Sequence, residues 1–429
     1  MKIVLFSPLA NTSAIGRVTA LIVPALIELG HTLTLVRTEQ VHILSAPPHA
    51  CTAPIIEWTN EPAVEEATHD ADALVYQIGN NYDFHCGGLH WLAKRPGIVC
   101  LHDFVVAHLF AGWAETRRAE ADEVLHSWYG KSVAQSFFAA RDHREFIDTA
   151  SRDHPMTEWI CAMAQGVISH SRWGMPRVLR STAWPARVAA LPYNAPAARP
   201  AAERVGNRVK VLTVGHANVN KRIESVIRAI GESAELRGRI EYQLCGRIEP
   251  RYALELARAA RAVGVRLRVS GEIDDLELQM AMNEADIVCS LRWPSLEAAS
   301  ATAIEGMLYG KAMVVTDTGF YSELPDDCVC KISIGDEIGE LRQVLERLVA
   351  EPSACHAMAA RAQRWAEATF TARNYAAQIE GMTRLVRSAE PAVAAAGTLA
   401  GYMNDWGASS DLLLTDEITK PLEIFDLRD

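Results

Sequence analysis

The chain has 429 residues, of which 49% are apolar, a composition typical of folded globular proteins and a length that suggests two domains. The formal net charge is −11 and neither half of the chain is basic, which disfavours broad nucleic-acid binding. The nine cysteines include no Cys-x-x-Cys pair. Neither a disulfide framework nor a zinc site is therefore indicated, and we expect a reducing, cytoplasmic compartment.

The first residues have the pattern of a βαβ unit. Residues 2–7 read as a buried strand, a loop of small and turn residues follows, and a helix over residues 16–29 precedes a second strand at residues 32–36. We expect no signal peptide, and no apolar run reaches the roughly 18 residues of a membrane span. The loop lacks Gly-x-Gly-x-x-Gly, so a dinucleotide fingerprint is absent.

Polar residues follow two further predicted strands of this first half. Asn80 comes after residues 73–78, and His102 and Asp103 come after residues 97–101. Ligands of open α/β sheets bind at the carboxyl ends of the strands, so these residues are candidates for function. A plain turn at Asn80 is an alternative, as is Asp103 acting as the N-cap of a helix that begins at residue 104. His102 is expected to face the cleft.

Residues 104–165 are predicted to be mostly helical, with several aromatic residues among charged ones. Core packing is the commoner explanation of those aromatics, and an insertion that faces the acceptor or a membrane is the alternative. The next helix combines arginines with Trp173 and Trp184, which suits either an anionic bilayer surface or a solvated face.

The second half repeats the alternating pattern. Residues 195–207 are rich in Ala and Pro and predict a boundary between domains. A strand at residues 210–214 then leads into a loop from Gly215 to Arg222 and a helix. Lys221 at that helix start suits a phosphate, although a surface lysine is an equal alternative. We predict a last long helix over residues 372–387 and an extended acidic tail over residues 400–429. We predict domains at residues 1–195 and 208–385, with residues 386–429 as a C-terminal segment that packs back on the first domain.

Residues 297–311 form a strand–turn–helix–strand pattern between apolar runs at residues 286–290 and 312–316. A helix N-terminus offers free backbone N–H groups and a positive dipole end, which together can hold a pyrophosphate. Ser300, Ala301 and Thr302 are small enough for a phosphate to approach. Glu305 could accept hydrogen bonds from ribose hydroxyls, and Glu297 from a sugar beyond the phosphates. Two solvated glutamates near a helix start are the alternative.

Together these motifs resemble a known family, the GT-B-fold retaining glycosyltransferases of the family 4 type, over roughly residues 1–385. The resemblance implies an α/β fold of two Rossmann-like, doubly wound domains that face a central cleft. It rests on the motifs Glu297/Glu305, Gly215 to Lys221, His102-Asp103, Gly16, and Thr316 to Gly319 before Glu323.

The resemblance also implies a role for each matching residue. Glu305 would bind ribose, Glu297 the donor sugar, and the backbone of residues 299–302 the diphosphate. Lys221 would neutralise the diphosphate, and His102 would reach the donor sugar. The remaining members of the predicted site are Gly16 and Gly215 near the phosphates, with Asp103 and Asn80 on the acceptor side.

The chain departs from the family pattern at several positions. His216 stands where the family usually has Arg, and Arg222 follows Lys221 where Gly is usual. Arg222 could supply the second positive charge. Ser300 replaces a usual Gly, and the first loop has Gly16 alone instead of paired glycines. These changes affect the geometry of the phosphate site and leave the class unchanged.

The resemblance implies transfer of a sugar from a UDP-, GDP- or dTDP-sugar to a glycan or lipid-linked acceptor, with retention of configuration, in cell-surface polysaccharide synthesis. No metal and no cofactor besides the donor is expected, because cations and the helix dipole would stabilise the leaving diphosphate. No nucleic-acid partner is expected, and a contact with the inner face of the membrane remains an alternative. A sugar-nucleotide epimerase and an inactive sugar-nucleotide-binding or scaffold protein remain alternative functions.

Overall fold

A computed structural model describes residues 1–196, 198 and 208–408 of the chain. Its first sheet consists of seven parallel strands in the order β3-β2-β1-β4-β5-β6-β7. The strands are β1 (Lys2–Ser7), β2 (Thr32–Arg37), β3 (Ile55–Glu57), β4 (Ala73–Ile78), β5 (Ile98–Leu101), β6 (Gly166–Ser169) and β7 (Ala186–Val188). The strand order reverses between β1 and β4, and the loops that leave these two strands therefore open a crevice at the carboxyl edge.

The second sheet has six parallel strands in the order β10-β9-β8-β11-β12-β13. They are β8 (Val209–Val214), β9 (Ile240–Cys245), β10 (Leu267–Gly271), β11 (Ile287–Ser290), β12 (Ala312–Thr316) and β13 (Val329–Ile332). Here the order reverses between β8 and β11, the two strands that precede the Lys221 loop and the Glu297 loop. The predicted fold class, two Rossmann-like α/β domains of GT-B type, is confirmed.

Helices cover both faces of the sheets, as parallel strands require. Those of the first half are α1 (Ala14–Glu28), α2 (Val41–Leu44), α3 (Glu61–His69), α4 (Tyr82–Lys94), α5 (Ala107–Ala114), α6 (Arg118–Tyr129), α7 (Lys131–Ser136), α8 (His143–Asp153), α9 (Thr157–Met163) and α10 (Met175–Ser181). Those of the second half are α11 (Ile223–Gly231), α12 (Ala234–Arg239), α13 (Pro250–Ala262), α14 (Asp275–Glu284), α15 (Ala301–Leu308), α16 (Glu337–Ala350), α17 (Pro352–Thr369) and α18 (Ala372–Asp405). Short 3₁₀ helices lie at Val219–Lys221 and Gly319–Glu323.

The aromatic residues of the α5–α9 region pack mainly in the core. Phe110 contacts the rings of Trp113, Phe137 and Trp159 at centroid distances of 5.1 to 5.5 Å. Trp128 is an exception, because 37% of its surface is exposed to solvent. Core packing thus explains most of the aromatic pattern in residues 104–165.

The C-terminal helix is longer than the sequence indicated. A helix was predicted over residues 372–387 with an extended tail from residue 400, whereas α18 continues to Asp405, so the tail prediction is wrong for residues 400–405. α18 returns to the first sheet: Tyr375 and Ile379 are buried in the same cluster as Ile22 of α1, and Arg387 pairs with Asp72. Residues 409–429 of the predicted segment, and residues 197 and 199–207 of the predicted linker, lie outside the described residues.

Among the described residues, the model contains no helix that is both long and apolar enough to cross a membrane.

Candidate functional site

The two sheets face each other across a cleft that backbone hydrogen bonds bridge. The loop after β5 pairs with the loop after β11 through an antiparallel bridge between Asp103 and Glu297. The Ala298 N–H donates to the carbonyl of His102 at 3.0 Å, and the Phe104 N–H donates to the carbonyl of Leu296 at 2.8 Å. The strand-end motifs that the sequence singled out in the two halves therefore meet.

A cavity of about 980 Å³ lies at this meeting point. Seven of the predicted site residues line it: Asn80, Asp103, Lys221, Glu297, Ser300, Ala301 and Thr302. Arg292 and the histidines 108, 143 and 216 complete much of its polar wall. A neighbouring cavity of about 390 Å³ is lined by His102, Asp103, Glu297 and residues 12–15, where the first loop enters α1. The site is thus built from both halves of the chain.

Glu297 is held by two polar partners. Its Oε1 accepts hydrogen bonds from Nε of Arg292 at 2.8 Å and from the Tyr321 hydroxyl at 2.9 Å. Burial favours a higher pKa for this carboxyl, but Arg292 and Tyr321 outweigh that effect and the pKa of Glu297 is lowered. Glu297 is therefore a fixed carboxylate that can accept hydrogen bonds from hydroxyl groups.

Lys221 is buried and lines the large cavity. Gly215, whose φ is +90°, brings the chain so close that a Cβ there would lie 2.6 Å from Nζ of Lys221. Nζ donates to the carbonyl of Val214. Burial and the nearby Arg292 guanidinium lower the pKa of Lys221 well below its usual value, whereas Glu297 raises it. An anion beside Lys221 would favour the charged ammonium, so the residue is suited to bind one.

The N-terminus of α15 faces the same cavity. Ser300 is its N-cap and accepts a hydrogen bond from the Ala303 N–H at 3.3 Å. The first residues of the helix, Ala301 and Thr302, line the cavity, and their N–H groups lie in the turn that has no intrahelical acceptor. The helix terminus, Lys221 and Arg292 together provide positive potential on one wall.

Glu305 lies one turn further along α15, beside a third cavity of about 170 Å³. Its carboxylate is 3.7 Å from the guanidinium of Arg17, which comes from α1 of the other half. Burial raises the pKa of Glu305 to about 7, although Arg17 opposes the shift. Arg17 also donates to the Tyr193 hydroxyl at 3.2 Å and to Oδ1 of Asn194 at 3.1 Å. The pair therefore joins the two halves at the side of the cleft.

His102 is buried and lines the smaller cavity. Its Nε2 lies 2.6 Å from Oε1 of Gln77, and the centroid of its ring lies 4.9 Å from that of the His170 ring. Burial lowers its pKa well below the usual value, and His170 and His85 act in the same direction. A neutral imidazole therefore stands next to Glu297, where it can form a hydrogen bond without adding charge.

The predicted acceptor-side residues interact with each other. The Asn80 N–H donates to Oδ2 of Asp103 at 2.8 Å, and burial raises the pKa of Asp103 to about 7, with Glu297 contributing. Asp103 is not a helix cap, because α5 begins at Ala107 and the chain at residue 103 pairs with Glu297 instead. Oδ1 of Asn80 accepts from the N–H groups of His108 and Leu109, so it is Asn80 that caps α5.

Arg222 and Gly16 are among the predicted residues that do not line the large cavity. Arg222 forms a bidentate ion pair with Glu337, at 2.7 to 3.1 Å, and does not line that cavity. Gly16 is buried where α1 crosses the first loop, and a Cβ there would lie 2.5 Å from the carbonyl oxygen of Pro8. Its lack of a side chain is therefore needed for packing, and the roles that the resemblance implies for both residues stay predictions.

Three residues of the site were missed from the sequence: Arg17, Arg292 and Tyr321. Arg292 is the second residue after the carboxyl end of β11, a position that could have marked it, as it marked His102 and Asp103. Arg17 and Tyr321 carry no such signal, because each reaches the site through the packing of distant segments.

In the described part of the chain, no group of three or more His, Cys, Asp or Glu side chains could hold a metal ion. The expected independence from metals stays a prediction.

Comparison with known proteins gives one match to a family model. Residues 195–365, about two fifths of the chain, match the family described as glycosyl transferases group 1. This range contains Gly215, Lys221, Arg292, Glu297 and Glu305. No curated protein sequence matches the chain.

Several solved structures share the fold. Sucrose-phosphate synthase from Thermosynechococcus elongatus aligns with a TM-score of 0.59 at 17% identity, covering 90% of this chain and 99% of that one. HepE of Anabaena, solved with UDP and glucose, aligns with a TM-score of 0.60 at 16% identity, covering 89% and 98%. WaaG, described as a glycosyltransferase of lipopolysaccharide biosynthesis, aligns with a TM-score of 0.56 at 13% identity, covering 87% and 98%. At these identities the likeness demonstrates the fold.

Proposed function

We propose that this chain, whose family-model match and fold support membership of the GT-B glycosyltransferase superfamily, transfers a sugar from a nucleoside diphosphate sugar with retention of configuration. The observation that carries the proposal is the convergence of Lys221, Arg292, Glu297 and the N-terminus of α15 on one cavity between the domains. The two basic side chains and the helix N-terminus suit a diphosphate, and the carboxylate of Glu297 suits the hydroxyls of a sugar bound next to it.

The donor would lie along α15. Its ribose would face Glu305, its diphosphate the first turn of the helix and Lys221, and its sugar Glu297 and His102. UDP is the first candidate nucleotide, because related folds have been solved with UDP and with UDP-glucose. GDP and dTDP remain candidates, because nothing in the described residues singles out a base.

Departure of the diphosphate develops negative charge on its bridging oxygen. Lys221, Arg292 and the helix terminus are fixed before the reaction and can stabilise that charge without reorganisation. Arg292 takes the place that the sequence suggested for Arg222, since its guanidinium lines the cavity. On this proposal the cations of the chain perform the neutralisation themselves.

Glu297 binds hydroxyl groups and is not the nucleophile. Its carboxylate is engaged by Arg292 and Tyr321, which orient it and lower its basicity. The acceptor hydroxyl would then attack from the face that the diphosphate leaves and pass its proton to the leaving phosphate. The loops at residues 102–105 and 296–298, which hydrogen bonds bridge, would limit access of water to the reacting carbon.

The acceptor is a glycan or a lipid-linked glycan, which the chain would extend during cell-surface polysaccharide synthesis. The acceptor hydroxyl would reach the donor from the side of Asp103 and Asn80. The described role of WaaG in lipopolysaccharide biosynthesis is consistent with such an acceptor.

The proposal is tested by incubating the protein with UDP-glucose and following nucleotide release and sugar products by NMR. We expect slow release of UDP without an acceptor and an α-configured product with one, and Lys221→Met should abolish both. If GDP- and dTDP-sugars also give no release or transfer in a folded sample, the transferase assignment is wrong. A β-configured product from an α-configured donor would contradict retention.

A further inference from the structure

A second groove of about 790 Å³ lies beside the cleft cavity. One wall is α8, which contributes Arg144 and Asp148, and the other is the second domain, with Val219 and the loop after β11. The groove therefore spans the domain interface, as the cleft cavity does. No role is assigned to it by the proposed transfer reaction.

Two tryptophans give the groove its chemical character. Trp293 is 44% exposed, which is unusual for so large an apolar side chain, and Trp173 lies on the opposite wall, packed against Phe104 at 4.5 Å. Around them the lining is polar, with serine, asparagine and arginine side chains. Apolar ring faces surrounded by hydrogen-bonding groups match a pyranose, which has an apolar face and a rim of hydroxyls.

The groove is continuous with the cleft cavity. Asn220 and Pro294 line both cavities and mark their common boundary. The backbone N–H of Trp293 donates to the carbonyl of Asn220 at 2.9 Å, so Trp293 lies directly beside that boundary. A chain of sugars with its reacting end in the cleft cavity would extend into the groove.

We infer that the groove is a carbohydrate-binding subsite for the acceptor, in which Trp293 packs against a sugar unit next to the one that reacts. The inference rests on the proposed function and makes it more specific: the acceptor is an oligosaccharide of at least two units, whether free or attached to a lipid. A single sugar would occupy the cleft alone and bind weakly.

The test is binding of the fluorescently labelled full-length protein to an array of neutral and acidic glycans with one to six sugar units. We expect the wild-type protein to retain glycans of two or more units and to bind monosaccharides poorly. Trp293→Ala should weaken retention by about tenfold, as loss of one aromatic contact with a ligand does. Trp293→Phe keeps an aromatic ring at this position and should therefore retain most of the wild-type glycan binding.

Trp406→Ala is the matched control, because Trp406 is 75% exposed at the end of α18 and away from the groove. It should bind like the wild-type protein, and equal melting midpoints would show that all variants are folded. Equal binding by Trp293→Ala and the wild-type protein, or no glycan binding by the wild-type protein, overturns the subsite.

Failure of the subsite and of the transferase proposal can be told apart with UDP as a second probe. Stabilisation of the protein by UDP without Trp293-dependent glycan binding rejects the subsite alone. Trp293-dependent glycan binding without any response to UDP, GDP or dTDP supports the carbohydrate site and rejects the donor.

Discussion

At the scale of residues, Arg292 is the cation of the proposed phosphate site that the sequence did not single out. Its guanidinium lines the cavity beside Lys221, whereas Arg222 is paired with Glu337. We predict that Arg292→Met weakens UDP binding by about tenfold, since a hydrogen bond or ion pair with a charged group contributes roughly 1.5 to 3 kcal/mol. Isothermal titration calorimetry at two salt concentrations measures this, and Arg292→Lys should retain part of the affinity.

Arg222→Met is the matched variant. It should leave UDP affinity within about twofold and instead lower the free energy of unfolding by about 2 to 3 kcal/mol, because it leaves the buried carboxylate of Glu337 without its main partner. The opposite pattern, with weak UDP binding in Arg222→Met and normal binding in Arg292→Met, would restore the assignment made from the sequence.

Glu305 should make nucleotide binding depend on pH. Only the ionised carboxylate accepts hydrogen bonds from both ribose hydroxyls, and burial raises the pKa of Glu305 to about 7. UDP affinity should therefore rise roughly tenfold between pH 6 and pH 8 in the wild-type protein relative to Glu305→Gln. Calorimetric titrations of both proteins across this range provide the comparison, and parallel pH profiles would contradict the ribose role.

The same shift has a definite sign for stability. The folded protein keeps the proton of Glu305 between its ordinary pKa of 4.5 and about 7, while the unfolded chain releases it. The stability contributed by the protonated form is therefore present below pH 4.5 and is lost as the pH rises to about 7. Burial also raises the pKa of Asp103 to about 7, so Asp103 contributes to the same decrease in stability. Glu305→Gln should therefore remove only part of the decrease in the free energy of unfolding between pH 4.5 and about 7.

At the scale of elements, the N-terminus of α5 is capped by Asn80, a residue from an earlier part of the chain. Oδ1 of Asn80 accepts from the N–H of His108 at 2.9 Å and from that of Leu109 at 3.2 Å. Asn80→Ala should lower the free energy of unfolding by about 1 kcal/mol, whereas Asn80→Asp keeps an acceptor there and should lower it less. Urea unfolding of the three proteins measures this, and equal stabilities would show that the cap contributes nothing.

The elements near the site could be predicted where their signals are local. The strand–turn–helix–strand pattern around Glu297 and Glu305 appears as β11, α15 and β12, because apolar runs, small residues and a capping serine lie within thirty residues of each other. Asp103 shows the limit of such reasoning. Its residue type suits an N-cap, but the bridge to Glu297 holds the chain extended, and α5 begins at Ala107 instead.

At the scale of the whole molecule, the closed arrangement of the two domains is held by side chains as well as by backbone pairing. The carboxylate of Glu323 accepts hydrogen bonds from the N–H groups of Arg172 and Trp173, at 2.6 and 2.9 Å, and the Ser171 hydroxyl donates to the carbonyl of Ala298 at 2.6 Å. The Arg17–Glu305 pair lies at another side of the cleft. Because domains of one chain commonly move relative to each other around a ligand, we expect that breaking such a contact favours an open form.

Glu323→Ala should therefore favour an open form. We expect faster amide exchange at Arg172 and Trp173 and a larger radius of gyration without ligand, both reversed by UDP. Hydrogen exchange and small-angle scattering measure the two effects, with Glu323→Gln as the control that keeps an acceptor oxygen. Unchanged exchange in Glu323→Ala would mean that this contact does not hold the domains together.

The pairing of the two halves could not be predicted from the sequence. Arg17 reaches Glu305 across 288 positions of chain, and Tyr321 reaches Glu297 through the 3₁₀ helix Gly319–Glu323. These contacts depend on how the two sheets face each other, and no local periodicity or motif in the sequence indicates that arrangement. The resemblance to a family predicted a cleft between the two halves, whereas the position of Arg292 on the wall of that cleft required the structure.

The most direct test of the central claim is thermal unfolding in the presence of UDP, GDP, dTDP and ADP, with Glu305→Ala measured alongside. A ligand that binds the folded state raises the midpoint by mass action. The proposed donor site predicts a rise with one diphosphate, UDP first, that disappears in Glu305→Ala. No rise with any of the four in a folded sample, or an equal rise in Glu305→Ala, would contradict the assignment of this cleft to a nucleoside diphosphate sugar.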